Sequence, residues 1–359
     1  MIIYFDRYYK NSRSASALLL KDRIKTDGHK DIKIFCTEAV YKDTFENDSP
    51  DSRVVTRYLL SFRNTLSLYV GFSLFMLNNY RKVERVVSFS SPGWNLLFHG
   101  YSFWSKKCVY VVQDIFPENI ELIMPIVKKI RVVWRPFFIV PYRRIGELET
   151  ISTDMAHYLK QSYGVEARIK FNTNPYSVDK AEEKNLRTLT VEDQIIVGYS
   201  GNLSSSHGLV GPVKLLKVLS GHKEFELNVR GFGKYFDAMR RDEALCNVVL
   251  FGGSMDAQEY REYLDRLDVI LLFQEDDFER VCLSCKFNTS IELGKPILYI
   301  GPESDISRYI NSLTLGKHFL ISDSIEEIEE GVRDFLENFE SFRRRAFINE
   351  QYNLNEVLI

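Results

Sequence analysis

The sequence predicts an α/β protein made of two tandem domains, each built on a mainly parallel sheet. Three observations carry this reading. Short apolar runs alternate with amphipathic segments of helical period along all 359 residues. A polar, charge-rich stretch, 178–192, interrupts the alternation near the middle, as a linker does. Beyond it the pattern restarts with Ile195–Tyr199, which ends in Ser200-Gly201-Asn202 and leads through small polar residues to the amphipathic segment Leu209–Leu219. A buried strand, a turn with little side chain and a helix put ligand-binding backbone at the carboxyl edge of a sheet. The bare N–H groups of such a turn, beside a helix N-terminus, suit a phosphate, although many such turns are small for packing reasons alone.

In the first half, Ile2–Phe5 is an apolar strand, Ala15, Leu18, Leu19 and Ile24 mark a helix, and Ile32–Phe35 is the next strand. The turn after the first strand, 11–15, lacks the Gly-x-Gly-x-x-Gly of a dinucleotide fingerprint. Tyr58–Leu77 is the most apolar long run. Arg63, Ser61, Asn64, Thr65 and Ser67 within it favour a core helix over a membrane span. Strands follow at Val86–Phe89 and Cys108–Val112, the second running into Gln113-Asp-Ile-Phe-Pro-Glu118. Charged residues directly after an apolar strand either carry chemistry at the sheet edge or, in the case of Asp114, cap the next helix. Lys128–Arg144 interleaves six basic residues with Trp134, Phe137, Phe138 and Tyr142. This mixture suits an anionic lipid surface, or a half-buried helix with solvated cations. Strands at Glu149–Ser152 and Arg168–Phe171 close this half, with a helix over Thr153–Tyr163 between them.

In the second half, strands are expected at Ile195–Tyr199, Phe225–Val229, Val248–Phe251, Val269–Phe273, Pro296–Ile300 and His318–Ile321, with helices between them. Arg230-Gly231-Phe-Gly233 gives a second glycine-bearing turn after a strand. Ser324–Phe339 is a strongly amphipathic helix, and 340–358 is read as one more. The domains are therefore set at 1–180 and 181–335, with a helical segment at 336–359.

Net charge is −2, but residues 1–180 hold 27 Lys and Arg against 18 Asp and Glu, and the remainder 20 against 31. A basic first half points to an anionic surface met by that half, and no nucleic-acid motif accompanies it. Cys36, Cys108, Cys246, Cys282 and Cys285 are odd in number and mostly lie in apolar runs, and no signal peptide precedes the first strand, which fits a reducing cytoplasm. Cys282-Leu-Ser-Cys285 has no second pair or nearby His to complete a zinc site, so no metal is expected.

Gly198-Tyr-Ser-Gly-Asn-Leu203 with His207 resembles the Tyr-Ser-Gly-Asn…His turn of bacterial glycosyltransferases of family 4. Lys286 with Glu292-Leu-Gly-Lys-Pro-Ile-Leu-Tyr-Ile-Gly-Pro302 is similar to their Pro-Ser-Lys…Gly-Lys-Pro…Gly-Pro segment. Gln113-Asp-Ile-Phe-Pro-Glu118 is similar to their Asp-Leu-Trp-Pro-Glu, and Ile151-Ser152…Met155 and Asn174-Pro175 follow in order. The resemblance implies a GT-B fold of two Rossmann-like domains, with a C-terminal helix crossing back to the first. It also implies a retaining hexosyl transfer, without metal or cofactor, from a UDP- or GDP-linked donor to a saccharide or lipid-linked acceptor in surface-polysaccharide synthesis. The setting would be cytoplasmic, peripheral at the inner face of the cell membrane.

On this resemblance Lys286 and the backbone of Gly201 and Asn202 hold the departing diphosphate, where charge develops as the sugar–phosphate bond breaks. Asp114 faces the reacting sugar, as does Gln113, where many relatives have a His. His207, Arg230, Gly231, Thr289 and Glu292 complete the donor side. Ser14 lies on the acceptor side, with Glu118 either there or fixing the loop of Asp114. The chain departs from the pattern at Val281 and Thr289, where relatives keep an acidic pair. Ser284-Cys285 replaces Pro-Ser, and no basic residue follows Asn202 in the turn. Thr289 would then hydrogen-bond the ribose, with Glu279 or Glu292 as substitutes for the acids. Two other functions share the fold: a sugar-nucleotide epimerase, and an inactive scaffold that binds a sugar nucleotide or a partner protein.

Overall fold

A computed structural model describes residues 1–5, 23, 32–35, 65–89, 93–170, 189–190 and 193–349. The chain divides into two compact units. One comprises Met1–Tyr176 with Arg280–Leu283, the other Ser177–Glu279 with Ser284–Ile359.

The first unit carries a six-stranded sheet of β1 (Ile2–Phe5), β2 (Ile32–Phe35), β3 (Arg85–Phe89), β4 (Cys108–Val112), β5 (Glu147–Thr150) and β6 (Arg168–Ile169), in the order β2-β1-β3-β4-β5-β6. Every pairing in it is parallel. Alternate residues of β1 serve opposite faces. Ile2 and Tyr4 join Val87, Phe89, Val109 and Val111, while Ile3 and Phe5 join Leu68, Phe72 and Met76 of α1 (Thr65–Asn79). The four-residue spacing of those three α1 residues makes the described part of the long apolar run a core helix, as expected. Among the described residues no helix is long and apolar enough to cross a membrane. The remaining helices of this unit are α2 (Trp94–Tyr101), α3 (Glu118–Ile123), α4 (Pro125–Lys129), α5 (Arg131–Arg144) and α6 (Thr153–Tyr163). The basic-aromatic run Lys128–Arg144 is carried by α4 and α5, divided at Ile130.

The second unit repeats the plan with β7 (Ile195–Asn202), β8 (Phe225–Phe232), β9 (Val249–Gly252), β10 (Val269–Phe273), β11 (Ile297–Ile300) and β12 (Gly316–Phe319), in the order β12-β11-β10-β7-β8-β9. Its pairings are also all parallel. The order reverses between β7 and β10, which makes the carboxyl ends of those two strands the switch point of the sheet. Helices α7 (Val210–Ser220), α8 (Lys234–Arg240), α9 (Ala257–Arg266), α10 (Cys285–Glu292), α11 (Asp305–Leu313), α12 (Ile325–Glu337) and α13 (Phe339–Asn349) complete it. The described part of the closing helix packs into this unit rather than standing as a separate segment. Phe335, Phe339 and Phe342, at i, i+4 and i+7, share its core.

One local expectation is corrected. Ser200-Gly201-Asn202 is not a turn but the end of β7, with Gly201 opposite Gly231 and Asn202 opposite Phe232. Gly201 has φ 129° and Gly231 φ 149°, and a Cβ on Gly231 would run into the Gly201 carbonyl. Two facing glycines let the strands stay paired in a backbone conformation that side chains resist, and the turn begins only at Leu203.

Candidate functional site

In the second unit the switch point is built by two loops that meet. The turn after β7 carries Ser204, Ser206 and His207, and the Glu275 N–H after β10 donates to the Ser206 carbonyl at 3.0 Å. Lys286, in the first turn of α10, reaches this point. A Cβ at Gly201 would lie 2.7 Å from Lys286 Cε and 3.1 Å from its Nζ, so the end of the lysine lies directly against the glycine backbone. The same Nζ stands 5.1 Å from the centre of the Tyr199 ring. Tyr199 is fully buried, stacks on Phe273 at 4.8 Å, and donates its hydroxyl to the Asn202 carbonyl at 3.1 Å. The ring thus offers its negative face to the cation while fixing the end of β7. His207 packs edge-on to Tyr199 at 6.0 Å, its Nδ1 within 3.2 Å of the Ser206 hydroxyl. Burial, and after it the nearby Lys286 charge, push His207 down to about 3, so its imidazole is neutral at physiological pH.

The structure therefore brings together Gly201, Asn202, His207, Gly231 and Lys286 from the predicted donor set. Thr289 joins them one helical turn on from Lys286. Both border a narrow gap of about 10 Å³, room for no more than one water, together with Gly198, Ser200, Tyr260 and the apolar Leu264, Leu267, Ile270 and Leu271. Arg230 is one strand further out, on β8, with its guanidinium over Gly252. Glu292 ends α10, roughly 9 Å along its axis from Lys286 by helix rise, and does not border the gap.

In the first unit Asp114 follows β4. Cap position of the next helix belongs to Pro117, which makes no side-chain cap bond, so Asp114 is not that helix's N-cap. Its backbone instead forms an antiparallel bridge with Cys282, and the Ile115 N–H donates to the Val281 carbonyl at 2.8 Å. Burial pushes the Asp114 carboxyl up to about 6. Gln113, half-buried, immediately precedes it. Val281, treated in the sequence as a lost acidic position of the donor side, is a buried residue of this first unit.

Glu118 is enclosed by neighbouring side chains. It accepts hydrogen bonds from Tyr163 at 2.7 and 2.8 Å and from Tyr158 at 3.0 Å, with Arg131 at 3.7 Å, and is buried. Its carboxyl is raised by burial, against the lowering effect of those partners. A carboxylate so enclosed ties α3 to α6 and α5 and is not presented to an acceptor. Ser14 lies outside the described residues.

Sequence reasoning missed Tyr199 as the seat of Lys286, and the return of 280–283 to the first unit. The aromatic inside the Tyr-Ser-Gly-Asn run was the available signal for the first. The apolar Val281-Cys-Leu283 directly after the charged stretch 275–280 was the signal for the second.

No family model and no curated protein matches the chain. Solved structures do. HepE of Anabaena in complex with UDP-glucose is similar over 97% of this chain and 93% of its own, with TM-score 0.65 and 14% identity. Sucrose-phosphate synthase from Thermosynechococcus elongatus matches over 99% and 96%, with TM-score 0.64 and 9% identity. WaaG, a glycosyltransferase involved in lipopolysaccharide biosynthesis, matches over 99% and 96%, with TM-score 0.62 and 13% identity. The chain has the GT-B fold. At these identities the likeness establishes the architecture, two Rossmann-like domains, and nothing finer.

Proposed function

We propose that the chain is a glycosyltransferase that moves a hexosyl group from a UDP- or GDP-linked donor to a saccharide or lipid-linked acceptor, with retention and without metal. The carrying observation is the seat of Lys286 at the switch point of the second unit. A cation lies against a glycine backbone and an aromatic face, beside a neutral His207, where a leaving diphosphate gathers charge. Thr289, in place of the missing acid, hydrogen-bonds the ribose. Asp114, whose carboxyl titrates near neutrality, serves the reacting sugar, with Gln113 as its polar neighbour. UDP-glucose in HepE and the lipopolysaccharide role of WaaG are consistent with the donor class and with a surface-polysaccharide product.

The test is product formation with a panel of UDP- and GDP-sugars and of saccharide and lipid-linked acceptors. A glycosylated acceptor of retained configuration is expected. An isomerised nucleotide sugar without acceptor would replace this reading with the epimerase, and binding without any turnover would replace it with the inactive scaffold.

A further inference from the structure

On the first unit, α4 and α5 are joined through Ile130, whose N–H donates to the Val127 carbonyl at 3.2 Å and whose carbonyl accepts from the Val133 N–H at 2.9 Å. Val133, Phe137 and Val140 recur at intervals of four and three as a stripe on one face of α5, and Ile126 of α4 and the junction residue Ile130 extend this run of exposed apolar residues. A globular helix normally turns such a stripe inward. Here it faces out: Ile126 and Val133 are each 69% exposed and Phe137 58%, and neighbouring Val132, at 87%, widens the face. The opposite side supplies the buried contacts, through Phe138 and Tyr142.

The arginines of this run are largely committed elsewhere. Arg131 donates to the Tyr158 hydroxyl at 3.2 Å, Arg135 to the Ser162 carbonyl at 2.9 Å and Arg143 to the Tyr163 carbonyl at 2.9 Å, fastening α5 to α6. Lys128 and Lys129 are exposed beside the stripe, and no acidic residue occurs from Leu122 to Gly146. A second copy of the same face would set lysines against lysines. A layer of phosphate headgroups over hydrocarbon meets both the lysines and the apolar ridge.

We infer that this ridge inserts into the interfacial layer of an anionic bilayer, with apolar burial as the main source of affinity and Lys128 and Lys129 as an electrostatic supplement. It deepens the lipid-linked side of the transferase reading. Lipid binding needs no turnover, however, so failure of one is distinguishable from failure of the other. Electrostatic adsorption through all the basic residues would collapse in salt, because screening acts within about 8–10 Å. Insertion persists.

The experiment is co-sedimentation of the full chain with phosphatidylcholine vesicles containing phosphatidylglycerol, at roughly 0.1 and 0.5 M salt. Wild type should bind, and lose less than about tenfold in partitioning between the two salts. Val133→Asp with Phe137→Asp should lose about tenfold or more at both, and Lys128→Gln with Lys129→Gln only a few-fold at low salt. Because the substituted apolar side chains are exposed, circular dichroism and melting should match wild type. Absence of wild-type binding, complete release in high salt, or unchanged binding by the Asp variant would overturn the insertion. Loss of a concentration-dependent dimer in the Asp variant, without vesicle binding by wild type, would assign the ridge to a second copy instead.

Discussion

The two sheets place polar residues at their carboxyl edges in opposite ways. In the second unit the end of Lys286 lies against glycine backbone, and its neighbours are neutral: His207 by burial, Thr289 by residue type. In the first unit the charged candidates are acids. Glu118 is held by two tyrosines and an arginine, and burial raises its carboxyl as it raises that of Asp114, the latter to about 6. A residue type at a sheet edge therefore says little until its partners are known. A carboxylate enclosed by hydrogen-bond donors holds structure.

The largest effect expected from breaking this contrast is at Lys286. Lys286→Ala should cost about 2–4 kcal/mol in the transition state, as other losses of a donor to a developing oxyanion do, with the fold intact by circular dichroism. Near wild-type turnover would remove the donor-site assignment.

Asp114→Asn should lower turnover by about two orders of magnitude and at the same time stabilise the fold above neutral pH. The sign follows from the raised carboxyl: folding favours its protonated form, so its contribution is full below the unfolded value of 3.8 and is lost as pH rises through about 6. The stability difference between variant and wild type should thus be near zero at pH 3–4 and reach about 1–3 kcal/mol at pH 8. Denaturant midpoints across pH check it, and a difference that shrinks with rising pH would show that the carboxyl is not raised.

Gly231→Ala should destabilise by about 2 kcal/mol or more, through its positive φ and the collision with the Gly201 carbonyl. Glu118→Gln should cost about 1 kcal/mol of stability, by weakening the tyrosine bonds, and leave turnover within a few-fold. A large loss of activity with unchanged stability would return Glu118 to the acceptor side. The smallest effect expected is that of chelation: turnover should survive EDTA, and a strict, restorable need for Mg²⁺ or Mn²⁺ would contradict the proposed chemistry.

Much of the fold was legible because parallel strands buried on both faces read as apolar runs. Cys108–Val112 and Val269–Phe273 were placed to the residue. The extension of β7 through Asn202 was not, since Ser-Gly-Asn has turn composition and only its pairing with a second glycine strand overrides that. Lys286, Gly201 and His207 were found from motif order, and they converge. Tyr199 was passed over because an aromatic in a core strand ordinarily signals packing alone. The fate of Glu118 depended on Tyr158, Tyr163 and Arg131, which are brought to it from at least 13 positions away by chain folding. No local pattern encodes that.

The measurement that bears most directly on the account is a calorimetric titration of UDP-glucose and GDP-mannose into wild type and Lys286→Ala, with the melting temperature of each followed in parallel. The account predicts saturable binding of one of these donors, a raised melting temperature in its presence, and at least about a tenfold loss of affinity in the variant. Equal affinity in the two proteins, or no binding of either donor, would contradict it.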